Sequence, residues 1–164
     1  MDALEYLKAP QKQPHGPAVA IYGAEQFLKS AALQAVTGQV LGDDDEDATP
    51  TRFAGKDADL VQVLDELRTV SMWSDCRLVI VDDADDFVSK HRAGLEKYVE
   101  QPAKKSVLVL DLKSWPKNTK LAKKVAKIGL DINCAPLKPA QVPRWVAAHA
   151  QHKYGKKIDG QAAQ

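Results

Sequence analysis

Short runs that are apolar at every position, separated by stretches of helical periodicity, constrain this chain more than any other feature. Val19-Ala20-Ile21-Tyr22, Leu78-Val79-Ile80-Val81 and Val107-Leu108-Val109-Leu110 lack the in-out alternation of a half-exposed strand, so they read as strands buried on both faces. Residues 51–53 and the surroundings of Ile132 add two shorter strands. Between them lie helical faces: Leu28, Ala32, Ala35, Val36 and Val40; Leu60, Val63, Leu64 and Leu67; Phe87, His91, Leu95, Tyr98 and Val99; and Leu121, Val125 and Ile128. Gly42 and Pro102 close two of these helices, and Asp57 is the expected N-cap of a third, with Arg68 in its last turn. Strands alternating with helices require crossover connections, and hence a mainly parallel sheet covered on both sides. The expectation is a three-layer α/β domain.

Residues 10–17, rich in Pro, Gln and Lys, read as a linker, with the compact domain starting at Ala18. The acidic run at 43–47 reads as a solvated loop. Past Pro136 and Pro139 the composition shifts to a helix carrying Trp145, Val146 and His149, with Asp159 able to cap another. That tail is too short to bury a core by itself. The expected division is therefore 1–138, with 1–17 as a helix and linker, and 139–164 as the truncated start of a second domain. A net charge of +1 gives no global pull toward nucleic acid or anionic membrane. No apolar stretch approaches the roughly 20 residues that span a bilayer, and Asp2 and Glu5 spoil any signal-peptide pattern. A cytoplasmic protein without membrane contact is expected. Cys76 and Cys134 are too far apart in sequence to suggest a disulfide framework or zinc pair, and read as reduced core residues.

In α/β folds of this kind, a nucleotide phosphate rests on the turn after the first strand, which needs spaced glycines followed by Lys and Ser or Thr. This chain has Tyr22-Gly23-Ala24-Glu25-Gln26-Phe27-Leu28: one glycine, no phosphate lysine in place, and Glu25 at the positive helix start where it would repel phosphate. Leu78-Val79-Ile80-Val81-Asp82-Asp83 looks like a strand ending in the acids that hold Mg²⁺ in ATPases, but without a phosphate loop it has nothing to act on. A phospho-accepting receiver pocket would need acids after the first strand. Asp82, Asp83, Asp85 and Asp86 are therefore expected to cap and solvate the following helix. His149 and His152 share a helix, but no cysteine or carboxylate accompanies them at metal-ligand spacing. No cofactor, metal or catalytic residue is expected.

Two features suggest binding instead. Met72 and Trp73 lie between polar residues in the connection preceding the third strand. Met adapts to irregular pockets and Trp dominates interface hot spots, so the pair is either an exposed anchor or folded under the loop. Lys120, Lys123, Lys124 and Lys127 share one face of a helix, which is either a solvated face or a contact for DNA phosphates or a partner. The nearby Trp115 is too isolated to suggest base stacking.

Residues 21–28, the run Arg77-Leu78-Val79-Ile80-Val81-Asp82-Asp83-Ala84-Asp85, and above all Leu137-Lys138-Pro139-Ala140-Gln141-Val142-Pro143-Arg144-Trp145-Val146-Ala147-Ala148 resemble the delta subunit of the bacterial DNA polymerase III clamp loader. The resemblance implies an AAA+-type domain with a degenerate P-loop, followed by the start of a small helical lid. It implies an accessory subunit of the polymerase holoenzyme, without catalysis of its own, that grips the sliding clamp (beta) through an apolar pair and helps open the ring. By position that pair is Met72 and Trp73, where the family often carries Leu and Phe, supported by Leu67, Val70 and Ser71. Implied partners are the clamp, the ATPase motor subunits, delta prime and primed DNA. Family members continue into a complete lid and an oligomerisation domain, so a fragment is expected. The competing readings are an atypical P-loop ATPase and a nucleic-acid-binding module using the lysine face.

Overall fold

The computed structural model describes residues 1–42, 49–69, 76–137, 142, 143 and 145. Helix α1 spans Ala3–Lys8 and is followed by a single 3-10 turn at Pro10–Lys12; then come β1 Ala18–Tyr22, α2 Gln26–Leu41, β2 Thr51–Ala54, α3 Leu60–Arg68, β3 Arg77–Asp82, α4 Asp85–Tyr98, β4 Ser106–Leu112, α5 Lys120–Ile128 and β5 Leu130–Asn133. The strands form one parallel sheet in the order β2-β3-β4-β1-β5. β1, β3 and β4 lie inside it, which is why their sequences are apolar throughout while edge strand β2 alternates.

Each strand sends alternate side chains to opposite layers. Ala18, Ala20, Tyr22, Val79, Val81, Leu108 and Leu110 join Val63 and Leu67 of α3, Phe87 and Leu95 of α4, and Leu121 and Val125 of α5 in one core. The alternate set, including Val19, Ile21, Leu78 and Ile80, faces the other layer, where α2 buries Leu28, Ala32 and Val36. Helices on both faces of a parallel sheet make the three-layer α/β fold that the alternating pattern implied.

Some local expectations change. The first residues belong to the packed unit: Ala3 and Tyr6 are wholly buried, the Tyr6 hydroxyl donates to Gln39 Oε1 at 3.0 Å, and Asp2 bridges Asn133 in parallel along the outer edge of β5. The 10–17 segment is not a free linker, because Gly16, at φ 61°, lies so close to the Ile128 carbonyl that a Cβ would come within 1.9 Å of its oxygen. Asp59, not Asp57, caps α3, its Oδ1 accepting from the N–H groups of Val61 and Gln62 at 2.8 and 3.4 Å. Helix α4 is kinked at His91.

The chain divides into two units, Met1–Cys134 and Ala135–Gln164. Of the second, residues 142, 143 and 145 are helical. Among the described residues, no helix is long and apolar enough to cross a membrane.

Candidate functional site

In open α/β sheets ligands bind beyond the carboxyl ends of the strands, and here the turn after β1 is closed by the protein's own backbone. Two N–H groups of the turn after β1 are already spent: Gly23 N–H donates to the Leu112 carbonyl at 3.2 Å and Glu25 N–H to the Cys134 carbonyl at 3.0 Å. Gly23 has φ 134°, and a Cβ there would lie 2.2 Å from the Cys134 oxygen. A backbone oxygen with partial negative charge thus presses on the turn where a phosphate would have to sit.

One sequence reading needs correcting. Counting from Gly23, Lys29-Ser30 falls at the spacing of a phosphate-loop Lys-Ser, with Leu28 in place of the second glycine. The lysine is in place, but it is committed elsewhere. Its ammonium lies 2.5 Å from Asp111 Oδ1 at the end of β4, and the side chain is 6% exposed. Burial pushes the Asp111 carboxyl above the usual carboxylate range, against the opposing pull of Lys29. Two of the acids at the end of β3 are likewise occupied. Asp82 pairs with Arg52, accepting from Nε at 3.0 Å and from the terminal nitrogen at 2.5 Å. Asp85 accepts from the N–H groups of Lys113 and Ser114 at 2.9 and 3.1 Å. None caps α4 through its side chain: the N-cap is Ala84. The acids tie β3 to β2 and to the segment after β4, which the local sequence does not reveal.

Cys134 is wholly buried beside this turn. Burial pushes its thiol from the ordinary 9.0 up to about 12, and the Tyr6 hydroxyl from 10.0 up to about 12. Above pH 9.0 the unfolded chain therefore sheds the thiol proton that the folded chain keeps. Stability is fully present below that pH and falls as pH rises toward about 12, by about 1.4 kcal/mol per unit for this group. Urea unfolding at pH ~8 and pH ~10 should show this loss, and Cys134→Ala should remove about 1 kcal/mol of it.

The proposed clamp-contact residues Met72 and Trp73, with Val70 and Ser71, lie outside the described residues. Leu67 is in the last turn of α3 and is wholly buried, so its side chain is part of the core and not of a surface. The four lysines of α5 do share one face, but they are not equivalent. Lys124 donates to Glu100 Oε1 at 2.7 Å and to the Glu96 carbonyl at 3.3 Å, tying α5 to α4. Lys120, Lys123 and Lys127 are exposed and make no ion pair among the described residues. Trp115 is buried in the core.

A family model described as DNA polymerase III, delta subunit, matches residues 20–134. The chain belongs to that delta-subunit family. Its fold is that of a Bacillus subtilis DNA clamp loader delta protein, with TM-score 0.74 at 22% identity over 98% of this chain and 49% of that one. A DNA polymerase III gamma subunit-related protein from Thermotoga maritima is also similar, with TM-score 0.55 at 16% identity over 94% of this chain and 51% of that one. This delta-family chain thus spans about half the length of the structures it matches. No curated protein matches it significantly. The AAA+-like fold with a degenerate P-loop agrees with the expectation from sequence, and the family is one of accessory subunits of a DNA polymerase.

Proposed function

We propose that this chain binds the DNA sliding clamp through Met72 and Trp73, favours the opened ring, and hydrolyses no nucleotide. The observation that carries the reading is the delta-family match across residues 20–134, a span that includes the Met-Trp pair. The closed phosphate turn supports the second half: Lys29, Asp82 and the Gly23 and Glu25 N–H groups all have partners within the chain. The energy for ring opening then comes from differential affinity for the open clamp, with ATP bound by motor subunits that assemble with this one and with delta prime around primed DNA in the cytoplasm. Residues 139–164 would begin the helical lid.

Clamp binding by the wild type and by a Met72→Ala, Trp73→Ala variant tests this. Truncating two hot-spot anchors should weaken binding by about 2 kcal/mol, roughly 30-fold. A folded variant with undiminished affinity would sink the assignment. Calorimetry with ATP tests the other half: saturable binding at micromolar concentration contradicts the closed turn.

A second reading is favoured by one observation: Lys120, Lys123 and Lys127 are exposed and make no ion pair among the described residues. If that face meets DNA phosphates, changing the three to Gln should weaken duplex binding for all sequences alike and reduce the salt dependence by about 2–3 released ions. Lys124→Gln should instead affect stability, since its partners are Glu100 and the Glu96 carbonyl.

A further inference from the structure

The side of α4 that bears Asp85, Val88, Ser89 and Arg92 does not close on the segment after β4. It leaves a cavity of about 180 Å³ whose other wall includes Ser114, Trp115 and Leu121. Positions 85, 88, 89 and 92 follow the helical repeat and so share one side of the helix, although the backbone departs from helical geometry at His91. A cavity of about 150 Å³ can hold a benzene ring, so this one has room for a ring-sized body. Its apolar lining of Val88, Trp115 and Leu121 is buried. Its unsatisfied polar groups are donors. Ser89 and Arg92 are exposed and make no hydrogen bond or ion pair among the described residues, and the buried indole N–H of Trp115 has no acceptor among them. The carboxylate of the lining, Asp85, already accepts one N–H on each oxygen, from Ser114 and from Lys113.

We infer that this cavity binds a small organic monocarboxylate with a ring-sized apolar body, whether or not the chain binds the clamp. Spare donors beside a committed acceptor select a ligand that accepts hydrogen bonds. The unpaired guanidinium of Arg92 selects a negative one, because Arg and a carboxylate match through two parallel N–H···O bonds. Asp85 limits how much negative charge the cavity tolerates. A phosphate dianion would meet that carboxylate with one cation to offset both, whereas a monocarboxylate is balanced by Arg92 alone. The apolar lining then takes the body of the acid, whose burial adds the hydrophobic part of the affinity. Residues 23–29 do not line the cavity, so it is distinct from the closed phosphate turn.

The test is a titration of the ¹⁵N-labelled chain with sodium benzoate, benzamide and inorganic phosphate, followed in ¹H–¹⁵N spectra. The Trp115 indole signal is assigned by its loss in Trp115→Phe. Benzoate should shift that signal and the Ser89 and Ser114 amides along one saturable curve, with a Kd of about 1 mM, ordinary for a ligand of this size. Benzamide keeps the ring without the charge and should bind about tenfold more weakly, and phosphate should give no saturable shift at Trp115. Arg92→Gln should weaken benzoate about tenfold, whereas Lys90→Gln, the same charge change at an exposed neighbour on α4, should leave its Kd unchanged. Both substitutions are at exposed positions, and an unaltered spectrum away from the cavity confirms their fold. Absence of a saturable benzoate shift at Trp115 overturns the site. So does phosphate or benzamide binding as tightly as benzoate, or an equal effect of Arg92→Gln and Lys90→Gln, since each would make the cavity a solvated cleft without selection for a carboxylate.

Discussion

Asp111→Ala is expected to lower the unfolding free energy by about 3–5 kcal/mol. The Lys29 and Asp111 side chains are 6% and 17% exposed with 2.5 Å between their charged atoms. Removing the carboxylate leaves an ammonium between α2 and the sheet with no counter-charge and little access to water. Lys29→Met is expected to cost less, about 1–3 kcal/mol, because burial already raises the Asp111 pKa and the remaining carboxyl can take up a proton. The double change Lys29→Met, Asp111→Ala removes both charges and should return stability to within about 1–2 kcal/mol of wild type. Urea unfolding of the four proteins measures the cycle directly. An Asp111→Ala protein as stable as wild type would mean that Lys29 reaches solvent and the pair contributes nothing. The cycle also bears on function, since a lysine whose removal is tolerated only together with its internal partner is a structural group. Neither single variant should be stabilised by ATP.

Individual residues show why some of this was legible in the sequence. β1, β3 and β4 were visible because a strand covered on both faces has no polar side, and that pattern is local. Strand order was not, because pairing of β1 with both β4 and β5 is decided by contacts distant in the chain. Lys29 shows the same limit: its spacing from Gly23 could be counted, but the missing second glycine hid the frame, and its partner Asp111 lies three strands later. The lysine face of α5 followed from helical period, whereas the bond from Lys124 to Glu100 depends on how α4 packs beside α5. Asp57 and Asp59 both precede α3 with a capping side chain, and only the backbone path selects Asp59. The Met72 and Trp73 assignment owes nothing to geometry. It follows from resemblance alone.

Gly23→Ala is the second large effect, expected at about 3–5 kcal/mol from backbone strain together with overpacking. An L side chain at φ 134° is strained in itself, and its Cβ would come 2.2 Å from the Cys134 oxygen and 3.1 Å from the Cys134 Cα. Those atoms belong to the backbone just after β5, which also accepts from Glu25 N–H and donates from Cys134 N–H to the Tyr22 carbonyl at 2.6 Å. Relief by movement would therefore break contacts joining β1, α2 and β5. Gly42→Ala separates the two causes: that glycine also has positive φ, 81°, but among the described residues nothing lies within 4 Å of its Cβ position. It should cost about 1–2 kcal/mol, the strain alone. Similar losses for the two variants would show that the Cys134 carbonyl yields easily and that the turn retains room for a ligand. A much larger loss for Gly23 means that this glycine, which looks like a remnant of a phosphate loop, is required because the protein's own backbone has taken the phosphate's place.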